Sequence, residues 1–214
     1  MTGYTTIPYT IAFANELVKD PIAFEPCAGR LRLAYQPSQP GDWIKPPGAE
    51  SWELGILRAR VRDLRNKPDQ RGSERMRKLN ARRQWRCMDK LLCQVCGSPA
   101  MDPKTRLIPW PLTKTVFERT GLDSGRTNAP PTCWSCIPKA LEECPMLRAD
   151  FTLYTVRAVE SAGVLADLYR PGIFHEPVLT AHNAFVSWDA PQYHPRTLAV
   201  AKVLELHGMK QVGP

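Results

Sequence analysis

Four of the seven cysteines in this 214-residue chain form two close pairs, Cys93-Gln94-Val95-Cys96 and Cys133-Trp134-Ser135-Cys136. A tight turn that points two thiolates the same way is half of a tetrahedral zinc site, and a second such turn completes it with no other ligand. Cys93, Cys96, Cys133 and Cys136 are therefore the predicted zinc ligands. With all four positions taken by protein, the zinc would support folding and leave no open position for chemistry. Gly97, directly after Cys96, suits a chain that leaves such a knuckle at positive φ. Cys87 and Cys144 lie close enough in sequence to replace a knuckle ligand, although two complete pairs make that unnecessary. Cys27 has no partner at ligand spacing and reads as a partly buried thiol.

The 36 residues between the pairs (97–132) exceed the ~15–20 of a simple zinc ribbon, so folded structure is expected inside them. Residues 105–112 suit a short strand, Asp123-Ser124-Gly125 is a turn signal, and Thr127-Asn128-Ala129-Pro130-Pro131 leads extended into the second knuckle. Lys139 to Cys144 suits a short helix that Pro145 ends. Knuckle, hairpin, knuckle and helix is the order of a treble-clef finger.

Leu92-Cys93-Gln94-Val95-Cys96-Gly97, Leu107-Ile108-Pro109, Asn128 and Cys133-Trp134-Ser135-Cys136 resemble the frame of HNH endonucleases, which are treble clefs with this kind of paired-cysteine site. Those enzymes carry Asp-His before the Ile-Pro element, where this chain has Thr105-Arg106-Leu107, and no histidine precedes His175. The resemblance thus implies the fold of the finger without its general base or catalytic metal, and no catalytic residue is assigned. The same stretch, closed by Cys144-Pro145-Met146-Leu147, also resembles a group of actinobacterial and actinophage proteins, a likeness that implies no activity. With no catalytic set, a regulatory or accessory role is expected, and the resemblance alone suggests its setting, such as modulating transcription or a phage recombinase.

Just before the first knuckle the composition changes. Residues 58–90 hold 13 Lys or Arg against four acids, a net of +9, while the remainder has 16 basic and 17 acidic residues. Arginine leads lysine here by ten to three, and its planar donor fork suits phosphate. Leu54, Leu57, Val61 and Leu64 follow helical spacing, and Ser73 to Leu92 reads as a second helix with Ser73 as its N-cap. Two arginine-rich helices would make a local field that attracts phosphates. The candidate contacts with nucleic acid or an acidic partner are Arg58, Arg62, Arg65, Arg75, Arg77, Lys78, Arg82, Arg83 and Arg86, with DNA or a DNA-bound protein as the favoured partner. Trp85, Trp110 and Trp134 read as cover for a thin zinc core more than as stacking platforms.

The elements around this centre are short, as 21 prolines require. Thr10 to Lys19 reads as a helix stopped by Pro21, and Arg30 to Tyr35 as a strand whose arginines face water. From Thr152 on, strands are expected at 152–159, 163–169 and 178–188, with Glu160-Ser161-Ala162 linking the first two as a hairpin, and Leu198 to His207 as a helix. His175-Glu176 and His182-Asn183 form the one cluster suited to acid–base chemistry or a second metal. Adjacent in sequence and following the cysteines, His175 and Glu176 do not fit the His-x-Glu zinc deaminase pattern.

The expected architecture is α+β: an N-terminal segment (1–48), a basic helical segment (49–92), a central treble-clef-like zinc module (93–150) and a strand-rich C-terminal part (151–214). The absence of a signal-like start or a long apolar run predicts a cytoplasmic protein with no membrane partner. Two other functions are open: a divergent HNH-type nuclease that recruits His175 or His182, and an interaction module using the near-neutral C-terminal part.

Overall fold

Strands outnumber helices in the computed structural model, which describes residues 6–49, 55–113 and 125–212. In chain order the elements are β1 (Ile11–Phe13), β2 (Ile22–Cys27), β3 (Arg30–Tyr35), β4 (Trp43–Ile44), β5 (Ile56–Arg58), α1 (Pro68–Arg71), β6 (Glu74–Leu79) and α2 (Ala81–Lys90). Then follow β7 (Ile108–Leu112), β8 (Arg126–Thr127), α3 (Ile137–Glu143), α4 (Pro145–Ala149), β9 (Thr152–Val156), β10 (Ala158–Pro171), β11 (Pro177–Ser187), β12 (Thr197–His207) and β13 (Lys210–Gln211). The architecture is mixed α and β, rich in strands. The chain forms two units, the first of residues 1–16, 63–162 and 203–214 and the second of 17–62 and 163–202.

In the first unit β1 pairs antiparallel with β6, and β9 lies between β7 and β13. β8 pairs with Leu204 and Glu205. Trp110, Ile108, Leu112, Met88, Val156, Leu204 and Leu206 form its core, which Cys93 and Val95 join. Trp110 is fully buried, and its indole N–H donates to the Ala129 carbonyl at 2.8 Å, so the ring spans the loop between the knuckles without stranding a donor. Trp85 is also buried, while Trp134 is exposed.

A buried ion cluster ties the N-terminal residues of this unit to α2. Arg83 Nη1 and Nη2 donate to Glu16 at 2.6 and 2.7 Å, Nη1 also to Asp63 at 2.6 Å, Nη2 to the Ile11 carbonyl and Nε to the Tyr9 carbonyl. Glu16 accepts further from the backbone N–H groups of Phe13 and Leu64 and from the Asn80 amide. Burial alone would raise the Glu16 carboxyl, but Arg83 and these donors hold it below its ordinary 4.5. All five Arg83 N–H donors and both Glu16 oxygens are engaged, which lets these two charges sit fully buried.

That cluster also explains where helical expectations fail. The predicted helix over Thr10 to Lys19 is instead β1 and a 3-10 turn at Ala14–Glu16, because Glu16 folds back onto the Phe13 N–H and turns inward to Arg83. The predicted helix from Ser73 starts only at Ala81: Asn80, held by Glu16, caps it by accepting the Arg83 N–H at 3.2 Å, and Glu74–Leu79 pairs with β1.

In the second unit β2 and β3 form a hairpin, and a sheet runs in the order β11-β10-β12-β5-β4. Phe24, Leu33, Tyr35 and Leu57 make a core. The amphipathic helix expected from Leu54, Leu57, Val61 and Leu64 does not form: Ile56 and Leu57 are buried in β5, parallel to β12 at Leu198 and antiparallel to β4, and Leu54 lies outside the described residues. Arg60 then donates to Asp42 at 2.7 and 2.9 Å and to Asp20 at 2.7 Å, with its guanidinium 4.2 Å from the Tyr35 ring centre. Arg32, expected to face water, is half-buried between Glu25 and the Trp43 ring.

The strand readings fare better. Residues 30–35, 108–112, 152–156 and 177–187 are strands. Two corrections apply: β10 runs unbroken through Glu160-Ser161-Ala162, which is no hairpin link, and the segment read as a helix, Leu198 to His207, belongs to β12. There Thr197, Ala199, Ala201 and Val203 are buried and alternate with less buried neighbours, so the apolar period is two. Asp123 and Ser124 of the expected turn lie outside the described residues.

Candidate metal centre and basic surface

The first knuckle is built by backbone hydrogen bonds. The Cys93 N–H donates to the Ser98 carbonyl at 2.7 Å and the Gly97 N–H to the Cys93 carbonyl at 2.8 Å, while the Val95 N–H reaches the Cys93 sulfur at 3.4 Å. Gly97 has φ 79°, and a Cβ there would stand 2.9 Å from the Tyr9 ring, so glycine is required both by conformation and by space. The second knuckle is the start of a helix: Cys136 and Ile137 N–H donate to the Cys133 carbonyl, and α3 continues from Ile137. Gln94 joins the two, its N–H donating to the Pro131 carbonyl at 2.9 Å and its side-chain amide to the Thr132 hydroxyl at 3.0 Å.

These turns bring the sulfurs of Cys93, Cys96, Cys133 and Cys136 within 4.8 Å of one another. Cys96 Sγ and Cys133 Sγ are 3.8 Å apart, far beyond the ~2.05 Å of a disulfide. Tetrahedral zinc with Zn–S bonds of ~2.3 Å places its sulfurs ~3.8 Å apart, so the cluster fits a four-thiolate metal ion. Burial acts against ionising Cys96, but the Ser98 N–H and hydroxyl offset it and hold the thiol at about 7, whereas burial pushes Cys93 up to about 11 and Cys136 up as well, so that all four become thiolates only beside a metal's charge. Cys87 is buried on the inner side of α2 and pushed up to about 12, first by desolvation and then by neighbouring Cys93. It lies outside the four-sulfur group. Cys144 lies at the end of α3, outside the four-sulfur group.

No family model, curated protein or solved structure matches the chain.

The nine candidate basic contacts separate into two kinds. Arg83 is consumed by Glu16 and Asp63, and half-buried Arg65 donates to the Ile7 and Pro8 carbonyls at 2.8 and 3.0 Å. Arg58 is half-buried in β5, and Arg62 is exposed; both belong to the second unit. Arg86 is exposed, donates to the Tyr9 hydroxyl at 2.8 Å and lies 3.6 Å from Asp63. Arg75, Arg77, Lys78 and Arg82 are exposed and make no ion pair among the described residues. Lys90, which the candidate set omitted, is likewise exposed with no ion pair among the described residues. Spacing four and eight residues from Arg82 places Arg86 and Lys90 with it on one stripe of α2, a signal present in the sequence.

His175 and His182 lie in the second unit, His175 in the β10–β11 turn at φ 63° and His182 on β11 with Nδ1 2.7 Å from Asp167. The cysteine cluster is in the first unit. No helix among the described residues is long and apolar enough to cross a membrane.

Proposed function

We propose that this is a zinc-stabilised accessory or regulatory protein that contacts nucleic acid, or a protein already bound to it, through a basic surface leading into the metal centre. The observation that carries the reading is the set of exposed cations on β6 and α2: Arg75, Lys78, Arg82, Arg86 and Lys90, four of them with no ion pair among the described residues. Unpaired guanidinium and ammonium groups keep their full field for phosphates, whereas paired ones are already neutralised. The metal is inferred to be zinc because four thiolates in tetrahedral reach, with no open position, suit a structural zinc site. The order of knuckle, strands, second knuckle and helix supports reading the centre as treble-clef-like, although the expected hairpin between the knuckles does not form among the described residues, β7 pairing with β9 and β8 with β12; the chain delivers α2 into its first knuckle. The zinc would supply folding energy and fix α2; the cations would supply affinity.

The test is binding of the zinc-loaded chain to labelled duplex DNA over a salt series, with Mg(II) and Mn(II) in parallel. Affinity should fall steeply with salt and no strand should be cut. Binding that salt barely changes, or none at low salt, would overturn the nucleic-acid reading, and cleavage would replace it with a nuclease.

A further inference from the structure

A cavity of ≈ 590 Å³ opens in the first unit, lined by β6, the first knuckle and helices α3 and α4. Its size falls within the ~300–1,000 Å³ of small-ligand sites. Ile11, Val95 and Leu147 line it and are buried, and Leu79 and Met146, 41% and 62% exposed, add further apolar surface. Apolar side chains left this open beside a cavity are poorly explained by the core alone. Three charged residues line it: Arg77, Lys139 and Glu143. Glu143 is engaged, accepting the Thr6 N–H at 3.1 Å and lying 3.9 Å from Lys139 Nζ, while Arg77 has no ion pair among the described residues. The lining is thus largely apolar, with one guanidinium that no carboxylate among the described residues pairs.

We propose that this cavity binds a small amphipathic anion, its apolar chain or ring against Ile11, Val95 and Leu147 and its single carboxylate or phosphate head on Arg77. A guanidinium beside apolar walls pairs with such a head through two parallel hydrogen bonds, and a cationic ligand would be repelled. A neutral apolar ligand gains the walls but leaves the cation unpaired. Gln94 and Val95 of the first knuckle, together with Lys139, Ala140 and Glu143 of the helix after the second, line the cavity, so an occupant would touch both halves of the metal centre. The proposal does not depend on nucleic-acid binding, which uses other cations.

The experiment is calorimetric titration of the intact, zinc-loaded chain with dodecanoate, dodecyl phosphate, dodecanol and dodecyltrimethylammonium, each kept monomeric. One molecule of an anionic probe should bind per chain, and whichever of dodecanoate and dodecyl phosphate binds tighter identifies the head. Arg77→Gln should weaken the anion by about tenfold or more without changing dodecanol, and Arg75→Gln should change neither. Filling the cavity with Ala140→Trp should abolish binding. Should that variant fail to fold, alkylation of the lining thiol Cys144 serves instead: bound anion should slow it while leaving Cys27 unaffected. No saturable anion binding, equal affinity for all heads, indifference to Arg77→Gln, or unprotected Cys144 would each overturn the proposal.

Discussion

Arg82 and Arg83 are adjacent on α2 and have opposite fates. Arg83 is wholly buried with its donors spent on Glu16, Asp63 and two carbonyls; Arg82 stands in water with no ion pair among the described residues. The same division runs through the whole basic segment, with Arg60 and Arg65 on the first side and Arg75, Lys78 and Lys90 on the second. A net charge counted along the chain therefore mixes two quantities. One set of cations holds chain segments together, and only the other is available to a partner.

The metal centre stands outside this division and should show the largest effect. Cys133→Ser removes one of four thiolates, and because structural zinc contributes ~10 kcal/mol or more of apparent folding energy in small modules, the first unit should lose its metal and its cooperative unfolding. Calorimetry and metal analysis on the same sample check this. Next comes Arg83→Met, which leaves Glu16 buried without its cation and should cost about 3–5 kcal/mol in urea unfolding. A cost under 1 kcal/mol would place Arg83 with the solvent-facing set.

Glu16→Gln should show a pH signature. The folded carboxyl lies below 4.5, so its contribution is complete above that pH and fades as pH falls through the folded value. The stability gap between wild type and Glu16→Gln, measured by urea unfolding, should accordingly be widest near neutrality and narrow in acid. A gap that widens in acid would refute the sign. Arg82→Gln with Lys90→Gln should do least to stability, within about 0.5 kcal/mol. Its effect belongs to binding, where the log–log salt slope on DNA should become shallower by about one for each cation removed.

The cysteine cluster was legible because a knuckle is local: two residues between thiols fix the turn, and Gly97 marks its exit. The strand at residues 30–35 was legible for the same reason, as its alternation of Arg30, Leu31, Arg32 and Leu33 is encoded within the strand itself. The segment around Leu57 was not, since its partners are Trp43 and a strand more than a hundred residues later, and pairing overrode a helical stripe that was present. Asn80 as a helix start was hidden for a related reason. Its role depends on Glu16, which reads in sequence as one more polar position on a helix. Burial of Arg83 follows from the same distant carboxylate, and no local pattern distinguishes it from Arg82.

The most direct measurement is metal content set against thermal unfolding, with and without a chelator, for the purified chain. One zinc per chain, and a transition that chelation lowers or abolishes while Cys87→Ala leaves the stoichiometry intact, is the expected result. A chain that melts identically after complete removal of metal would contradict a structural zinc site at Cys93, Cys96, Cys133 and Cys136.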